Sequence, residues 1–299
     1  MKTRRVVGLG LCVVDHLYRV EGLEWSGSRL RFGERMVSTG GMIGNALVQV
    51  AALDCDAQLV TGLGDDPEGR WLTCAMARHG VKTDHVVCSD QLSTTVAVVL
   101  VDVCSGERRF IVPDRKAMER SAPRFDLAAI ERGTVLLVDG HFPEQALRAV
   151  RRAREVGATV VGDFHAPRPA VRKLLPYVDY PIVPVEFAEA YAGPNPNRTL
   201  ETLHERFGGS PIVTRGAEGG SYLLDGRIGH YRAARAQVQD TTGAGDAFHG
   251  AFAAALHHGM EFGPAIRLAA KAAAVCCTAL GATTALLGRE ALPARTERR

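Results

Sequence analysis

Residues 135–162 read VLLVDGHFPEQALRAVRRAREVGATVVG, and this stretch decides the fold class. Its two ends are short apolar runs typical of buried strands, while residues 144–155 carry apolar side chains at helical spacing. A strand, a helix and a second strand in this order predict two parallel strands joined by a right-handed helical crossover. Repeated along a chain, this unit builds a sheet that is covered by helices on both faces.

The rest of the chain repeats this alternation. Apolar runs that we interpret as strands lie at residues 6–11, 58–62, 135–139, 159–162, 180–183 and 211–214. Helical spacing occurs at residues 45–53, 68–79, 144–155, 171–175 and 198–207. The sequence therefore predicts an α/β fold of the doubly wound kind, with a mostly parallel sheet.

Two segments lack the intervening helices. Residues 19–37 and 94–112 contain longer stretches of β type, for example TVAVVLV at 95–101. We expect these segments to pair into a small separate sheet. No Pro- or Ser-rich linker sets them apart, so we predict an insertion within one domain that spans residues 1–299.

Composition and charge exclude several classes of function. The 299 residues include 36 Lys and Arg against 33 Asp and Glu, a net charge of +3, so we expect no nucleic-acid partner. The longest apolar stretch, residues 265–287, contains Arg267 and Lys271, which favours an amphipathic helix over a membrane span. Seven cysteines without a Cys-x-x-Cys pair, together with no signal-peptide pattern, predict reduced thiols and a cytoplasmic protein.

Residues 240–250, DTTGAGDAFHG, point to phosphate chemistry. An apolar helix pattern runs from Asp246 to His258, so Gly243, Ala244 and Gly245 lie at a helix N-terminus. Backbone N–H groups and the positive end of the helix dipole suit a phosphate there, and glycine allows close approach. Asp246 would then accept the proton of an attacking hydroxyl group. Taken alone, it could equally stabilise the helix dipole.

This eleven-residue segment resembles the second signature of the ribokinase-like (PfkB) carbohydrate kinases. The resemblance implies an ATP-dependent sugar kinase in which Asp246 is the catalytic base and the amides of residues 243–246 form the anion hole. It also implies ATP and Mg²⁺ as cofactors, and it admits a monovalent cation such as K⁺. No Gly-x₄-Gly-Lys-Ser/Thr sequence is present, which excludes a P-loop kinase.

GGMIGNA at residues 40–46 and GLGDDPEG at residues 62–69 resemble the first signature of that family. In family members, the residues matching Gly40, Gly41 and Asn45 face the sugar, and an Asp matching Asp15 binds its hydroxyl groups. Carboxylate and amide groups suit such partners because each accepts more than one hydrogen bond. The structural alternative is a capped helix at Asn45 after an ordinary turn.

The resemblance also assigns the two irregular segments, about residues 16–38 and 92–113, to a lid over the sugar and to a homodimer contact. A lid excludes water from the phosphoryl transfer. An Arg matching Arg108 reaches the active site in the family, so we predict that Arg108 binds substrate. Arg29, Arg31 and Arg35 share parity and would project from one face of a continuous strand. They would either bind an anionic group on the sugar or form a solvated face.

Residues 213–220, VTRGAEGG, resemble the nucleotide segment of the family. This places Thr214, Gly216 and Gly219 beside the phosphates and ribose of ATP, whereas the segment alone reads as a hairpin turn. A helix predicted at residues 265–280 would cover the adenine through small residues that include Ala270 and Ala274.

The chain departs from the family at the Asn-x-x-Glu motif that helps to organise Mg²⁺, because its positions hold Pro184 and Phe187. In lacking it, the chain is similar to the ketohexokinase and sulfofructose kinase branches. Asp163 and His165 follow a predicted strand and would contact a metal or phosphate, or only make the loop polar.

Two alternative functions stay open. Met42, where ribokinases usually have Lys, would suit the apolar slot of a nucleoside kinase. A sugar-binding regulatory protein of the same fold would have no need of a base at Asp246.

Overall fold

The computed structural model describes residues 5–24, 29–105, 107–114 and 122–292. The strands, in chain order, are β1 (Val6–Leu9), β2 (Val13–Val20), β3 (Phe32–Gly40), β4 (Ala57–Gly64), β5 (Lys82–Ser89), β6 (Val96–Asp102), β7 (Arg108–Ile111), β8 (Val135–Val138), β9 (Thr159–Asp163), β10 (Tyr180–Pro184), β11 (Ile212–Thr214), β12 (Gly220–Leu224) and β13 (Arg227–Tyr231). The α-helices are α1 (Met42–Ala52), α2 (Pro67–Arg78), α3 (Pro143–Val156), α4 (Pro169–Leu174), α5 (Val185–Ala192), α6 (Pro196–Phe207), α7 (Ala244–His257) and α8 (Phe262–Cys276).

Within these ranges, the main sheet has nine strands in the order β13-β12-β11-β10-β9-β8-β1-β4-β5. The strands from β11 to β5 run parallel to one another, and β12 and β13 are antiparallel. Helices α1, α2, α7 and α8 pack on one face, and α3 to α6 pack on the other. Burial on both faces explains why the strands read as continuous apolar runs. The predicted doubly wound α/β fold is confirmed.

The two irregular segments contribute to a small sheet of the order β3-β2-β6-β7, in which β2 begins at Val13, before the first predicted segment. β2 pairs parallel with β6, and the other two pairs are antiparallel. β3 begins only at Phe32, so Arg29 and Arg31 precede the strand and only Arg35 lies on it. The expectation that these three arginines project from one strand face is therefore wrong.

Local sequence explains several helix starts. Four of the helices begin at a proline, where the missing N–H has no partner to lose. No helix within the described ranges is both long and apolar enough to cross a bilayer.

Candidate active site

α7 begins in a tightly turned segment. Gly243 has φ 76°, in the left-handed region, and the helix starts at the next residue. The N–H groups of Ala244 and Ala247 donate to Thr241 O and Gly243 O, at 3.3 and 2.8 Å. Among the described residues, the N–H groups of Gly245 and Asp246 have no backbone acceptor. Two adjacent N–H groups at the positive end of a 14-residue helix form a site that suits an anion.

Gly243 and Gly245 differ in whether their surroundings leave room for a side chain. A Cβ at Gly243 would lie 2.3 Å from the Cβ of Ala282, and the left-handed backbone would strain any side chain. A Cβ at Gly245 would meet no atom within 4 Å, and its φ is not left-handed. The packing of the protein therefore requires glycine at 243. At Gly245, the open space beside the two N–H groups can accommodate a ligand.

Asp246 lies in the first turn of α7 and is bonded to α1. The Nδ2 of Asn45 donates to Asp246 Oδ2 at 2.8 Å, while the buried Asn45 Oδ1 has no partner among the described residues. The close approach of the two helices makes this contact possible. A Cβ at Gly250, one turn after Asp246, would lie 2.2 Å from Ala46 O.

Electrostatics raise the basicity of the Asp246 carboxyl group. Burial raises the pKa of its carboxyl well above the ordinary value, and the neighbouring Asp163 carboxylate raises it further. The Asn45 hydrogen bond lowers the pKa, and the charge of Asp15 raises it. A carboxylate with a raised pKa takes up a proton more readily, as general base catalysis requires.

Asp163, at the end of β9, lies beside His249 of α7. The Nδ1 of His249 is 2.6 Å from Gly245 O, and its Nε2 is 3.4 Å from Asp163 Oδ1. Asp163 is 1% exposed, and its Oδ2 has no hydrogen-bond partner within the described part of the chain. His165 lies farther away, with its Nε2 4.0 Å from Asp163 Oδ1. The sequence reasoning missed His249, although its spacing of three from Asp246 places both on one helix face.

Asp15, Gly40 at the end of β3 and Gly41 just before α1 form a second part of the site. Asp15 is 7% exposed, and burial raises its pKa to about 7. A Cβ at Gly40 would lie 2.1 Å from Asp15 Oδ2, so glycine leaves that carboxylate its space. Gly41 has φ 83°, and a Cβ there would meet Leu11 O at 2.6 Å. Backbone geometry alone thus explains Gly41, whereas Gly40 is explained by Asp15.

Arg108, the first residue of β7, reaches the segment before α7. Its guanidinium donates to Thr241 Oγ1 and Thr242 Oγ1, each at 2.5 Å, and lies 3.5 Å from Asp240 Oδ1. Asp240 also accepts from the N–H of Thr242 at 2.9 Å and from the N–H of Gly281 at 2.8 Å. Asp240 therefore organises the backbone that leads into the anion site, a role that the sequence reasoning did not assign.

The proposed nucleotide-binding residues lie at the same edge of the main sheet as Asp163, because the parallel strands β9 and β11 both end there. Thr214 ends β11 and is in register with Pro184 of β10, and the turn after it holds Gly216, with φ 52°, and Gly219, with φ 84°. Among the described residues, no hydrogen bond joins this turn to Asp246. On α8, Ala270 is buried in the core beside α7, whereas Ala274 is partly exposed.

The positions of the missing Asn-x-x-Glu motif cannot bind a cation through side chains. Pro184 has no side-chain donor atom, and Phe187 is fully buried in the core. The donor set that the structure does offer is the buried carboxylate of Asp163 with its unpartnered oxygen. A hard cation such as Mg²⁺ prefers oxygen ligands of this type, so the residues present fit it.

Comparisons with known proteins find sugar kinases that are similar to this chain over most of its length. A ribokinase of Haemophilus influenzae is 27% identical over 292 residues, which covers 94% of this chain and 95% of that protein. A fructokinase of Klebsiella pneumoniae is 28% identical over 278 residues, covering 85% of this chain and 90% of the relative.

Solved structures agree on the fold. Arabidopsis thaliana ribokinase, in complex with ribose and ATP, superposes with a TM-score of 0.76 at 21% identity, covering 97% of each chain. The model of the pfkB family of carbohydrate kinases matches residues 3–287, nearly the whole sequence. The chain belongs to the pfkB family of carbohydrate kinases.

Proposed function

We propose that this kinase transfers the γ-phosphoryl group of ATP to a hydroxyl group of a sugar, namely a ketose or a related sugar. The observation that supports this most strongly is one juxtaposition at the start of α7. The N–H groups of Gly245 and Asp246 have no backbone acceptor among the described residues, and the carboxyl group of Asp246 lies beside them. A protein that only binds phosphate has use for the N–H groups but none for a base next to them.

The reaction assigns each group one task. The sugar hydroxyl gives its proton to Asp246 as its oxygen bonds to the γ-phosphorus, and the bond from that phosphorus to the bridging oxygen of ADP breaks. The N–H groups of Gly245 and Asp246 stabilise negative charge on the transferred group. The Nδ2 of Asn45 holds one oxygen of Asp246, which leaves the other oxygen for the hydroxyl group.

The sugar would bind between Asp246 and Asp15. The Asp15 carboxylate accepts hydrogen bonds from hydroxyl groups, and the buried Oδ1 of Asn45, without a partner among the described residues, accepts another. The small sheet carries Asp15 on β2 and Arg108 on β7, so it would close over the sugar and exclude water.

ATP would lie along the turn that contains Thr214, Gly216 and Gly219, with its γ-phosphate at the start of α7. Magnesium, bound together with ATP, would be held through Asp163 and would neutralise charge on the phosphates. We place the role of the missing Asn-x-x-Glu motif on Asp163 because its Oδ2 is buried and lacks a partner within the described ranges.

A homodimer through the small sheet is also proposed. Its strands β3 and β7 expose large apolar side chains, and a second copy would cover them: Phe32, Val37, Phe110 and Ile111. Sedimentation of the parent and of a Phe32→Ser, Phe110→Ser variant tests this, because a monomeric parent excludes the dimer.

Release of ADP against a panel of substrates tests the function. Neutral ketoses, anionic ketoses, aldoses and nucleosides would each be offered with Mg·ATP. We expect turnover with at least one sugar and none with nucleosides. If a nucleoside is the preferred substrate, the protein is a nucleoside kinase and the proposed sugar acceptor is wrong. Binding of sugars without any ADP release would mean a regulatory binding protein.

A further inference from the structure

The C-terminus of α7, at the opposite end from Asp246, carries a cluster of metal-binding side chains. His257 is the last residue of the helix and His258 caps it, while Cys55 lies in the turn between α1 and β4. A helix of 14 residues is about 20 Å long, so this cluster is well separated from the anion site. The proposed sugar kinase reaction uses none of the three residues.

Their ligand atoms already lie close together. The Sγ of Cys55 is 3.2 Å from the Nε2 of His258, and one ligand atom from each of the three residues lies within 4.8 Å of the other two. Four-coordinate zinc, with Zn–S of about 2.3 Å and Zn–N of about 2.0–2.1 Å, needs ligand atoms about 3.3–3.6 Å apart. A shift of roughly 1 Å would complete that geometry.

The rings of the two histidines lie close together at the end of α7. Neighbouring residues inside a helix point about 100° apart. Here the rings of His257 and His258 lie with centroids only 5.1 Å apart and planes at 83°. The Leu53 carbonyl oxygen is 3.2 Å from His258 Nε2 and 3.6 Å from Cys55 Sγ, so it offers a fourth donor atom.

The surroundings favour a cation. The C-terminal carbonyl groups of α7 form the negative end of its dipole. Cys55 is 8% exposed, and both histidines are partly buried, so the cluster is shielded but accessible to an ion. Thiolate and imidazole ligands select zinc and similar soft divalent ions, whereas the Mg²⁺ that accompanies ATP prefers oxygen.

We propose that Cys55, His257 and His258 bind a thiophilic divalent cation of the Zn²⁺ type, with water or the Leu53 carbonyl as the fourth ligand. The ion joins the turn before β4 to the end of α7. Since the N-terminus of the same helix forms the anion site, the ion fixes the helix from its distal end.

Cobalt serves as the spectroscopic probe for this site. Tag-free, metal-stripped protein would be titrated with Co²⁺ without nucleotide, so the outcome does not depend on the kinase reaction. We expect one Co²⁺ per chain, with a thiolate-to-cobalt charge-transfer band and the intense visible bands of a four-coordinate ion, both displaced by Zn²⁺. Cys55→Ser should abolish the charge-transfer band, and His257→Gln or His258→Gln should weaken binding at least about tenfold. Cys74→Ser, at an exposed cysteine on α2, is the matched control and should match the parent.

Thermal unfolding gives a second measurement. Zn²⁺ should raise the melting temperature of the parent and of Cys74→Ser but not that of Cys55→Ser. Should Cys55→Ser fail to fold, His257→Gln replaces it, and it should show the weaker Co²⁺ binding and a smaller rise in melting temperature with Zn²⁺ than the parent. A parent without the charge-transfer band, or a band that survives Cys55→Ser, would overturn the proposal. The cluster would then be a hydrogen-bonded contact among Cys55, His258 and the Leu53 carbonyl.

Discussion

The Nδ2 of Asn45 donates to the Oδ2 of Asp246 at 2.8 Å, although 201 residues separate them in the sequence. The bond joins the first turn of α1 to the first turn of α7 and fixes the orientation of the carboxyl group. It also opposes the rise that burial and Asp163 impose on the pKa of Asp246. Orientation and basicity of the proposed base are thus set by residues from three separate elements.

Asp246→Asn should lower kcat by ~10²–10⁴, the range expected for a lost general base. ATP binding should persist, because the N–H groups of the anion site are unchanged. The variant should be no less stable than the parent at pH 8. A carboxyl whose folded pKa is raised weakens the fold once it ionises, and the neutral amide removes that cost. Steady-state kinetics and urea unfolding at pH 8 measure both effects, and turnover within a few-fold of the parent would refute the assignment.

Valine substitutions at the two glycines should have opposite consequences. Gly245→Val places its side chain in open space, so the fold should persist while kcat falls by ~10²–10³, as for a lost oxyanion donor. Gly243→Val meets Ala282 and a left-handed backbone, so it should lower the free energy of unfolding by at least about 1–2 kcal/mol. Denaturant unfolding and ADP release, measured on both variants, separate the two roles. A fully active Gly245→Val would show that the start of α7 does not bind the phosphate.

β5 and the pair β12 and β13, at the two ends of the main sheet, are not predicted from the sequence. The strands between them could be predicted because burial on both faces leaves continuous apolar runs. The end of α8 could not, since a tertiary contact sets it. The helical pattern predicts a helix to residue 280, but α8 ends at Cys276. The carbonyl of Cys277 accepts from the N–H groups of Gln239 and Asp240, at 2.8 and 3.3 Å. This carbonyl accepts hydrogen bonds from the backbone before the anion site, and no local sequence pattern predicts such a contact.

The sequence indicates candidate site residues by their types, but it does not show the contacts among them. Asp246 stands out because it follows a glycine loop at a predicted helix N-terminus, whereas Asn45 and Asp15 are assigned through the family resemblance. Their arrangement depends on how closely α1 and α7 pack, which Gly250 and the Ala46 carbonyl determine. The links from Asp240 to Gly281 and from Arg108 to Thr242 span 41 and 134 residues, so only the folded chain reveals them.

Sugar affinity should depend on pH through Asp15. Burial raises the pKa of this carboxyl from 3.8 to about 7, and only the ionised form accepts hydrogen bonds from a hydroxyl group at both oxygens. In the Asp246→Asn background, which removes the titration of the base, affinity should be constant above pH 7. Below pH 7 it should fall towards about tenfold per pH unit.

Calorimetry with the preferred sugar between pH 5.5 and 8.5, roughly one to two units either side of that pKa, measures this. Adding Asp15→Asn should weaken binding and flatten the profile, while Asp65→Asn, at an exposed surface carboxylate, should leave it unchanged. The stability of the fold should depend on pH in the opposite direction to the sugar affinity. A raised pKa means that the contribution of Asp15 to stability is present at low pH and is lost as pH rises from about 3.8 to 7. A flat affinity profile in the Asp246→Asn background would contradict the role of Asp15.

Arg108 and its neighbour Arg109 provide a matched pair for the small sheet. Arg108 contacts Thr241, Thr242 and Asp240, whereas Arg109 is exposed. Arg108→Ala should lower kcat/KM by roughly 10–10²-fold, because the segment before the anion site loses the support that positions it. Arg109→Ala should remain within about twofold, as a surface substitution usually does.

Comparison of anionic and neutral ketoses then separates two roles of Arg108. A guanidinium that holds the 240–242 segment supports every acceptor, so both classes of ketose should lose the same factor in Arg108→Ala. A guanidinium that binds an anionic group on the sugar would instead cost the anionic ketose far more, as the loss of a paired ionic hydrogen bond does. Because Arg108 already contacts Thr241, Thr242 and Asp240, we expect the equal loss. A loss confined to the anionic ketose would assign Arg108 to the substrate.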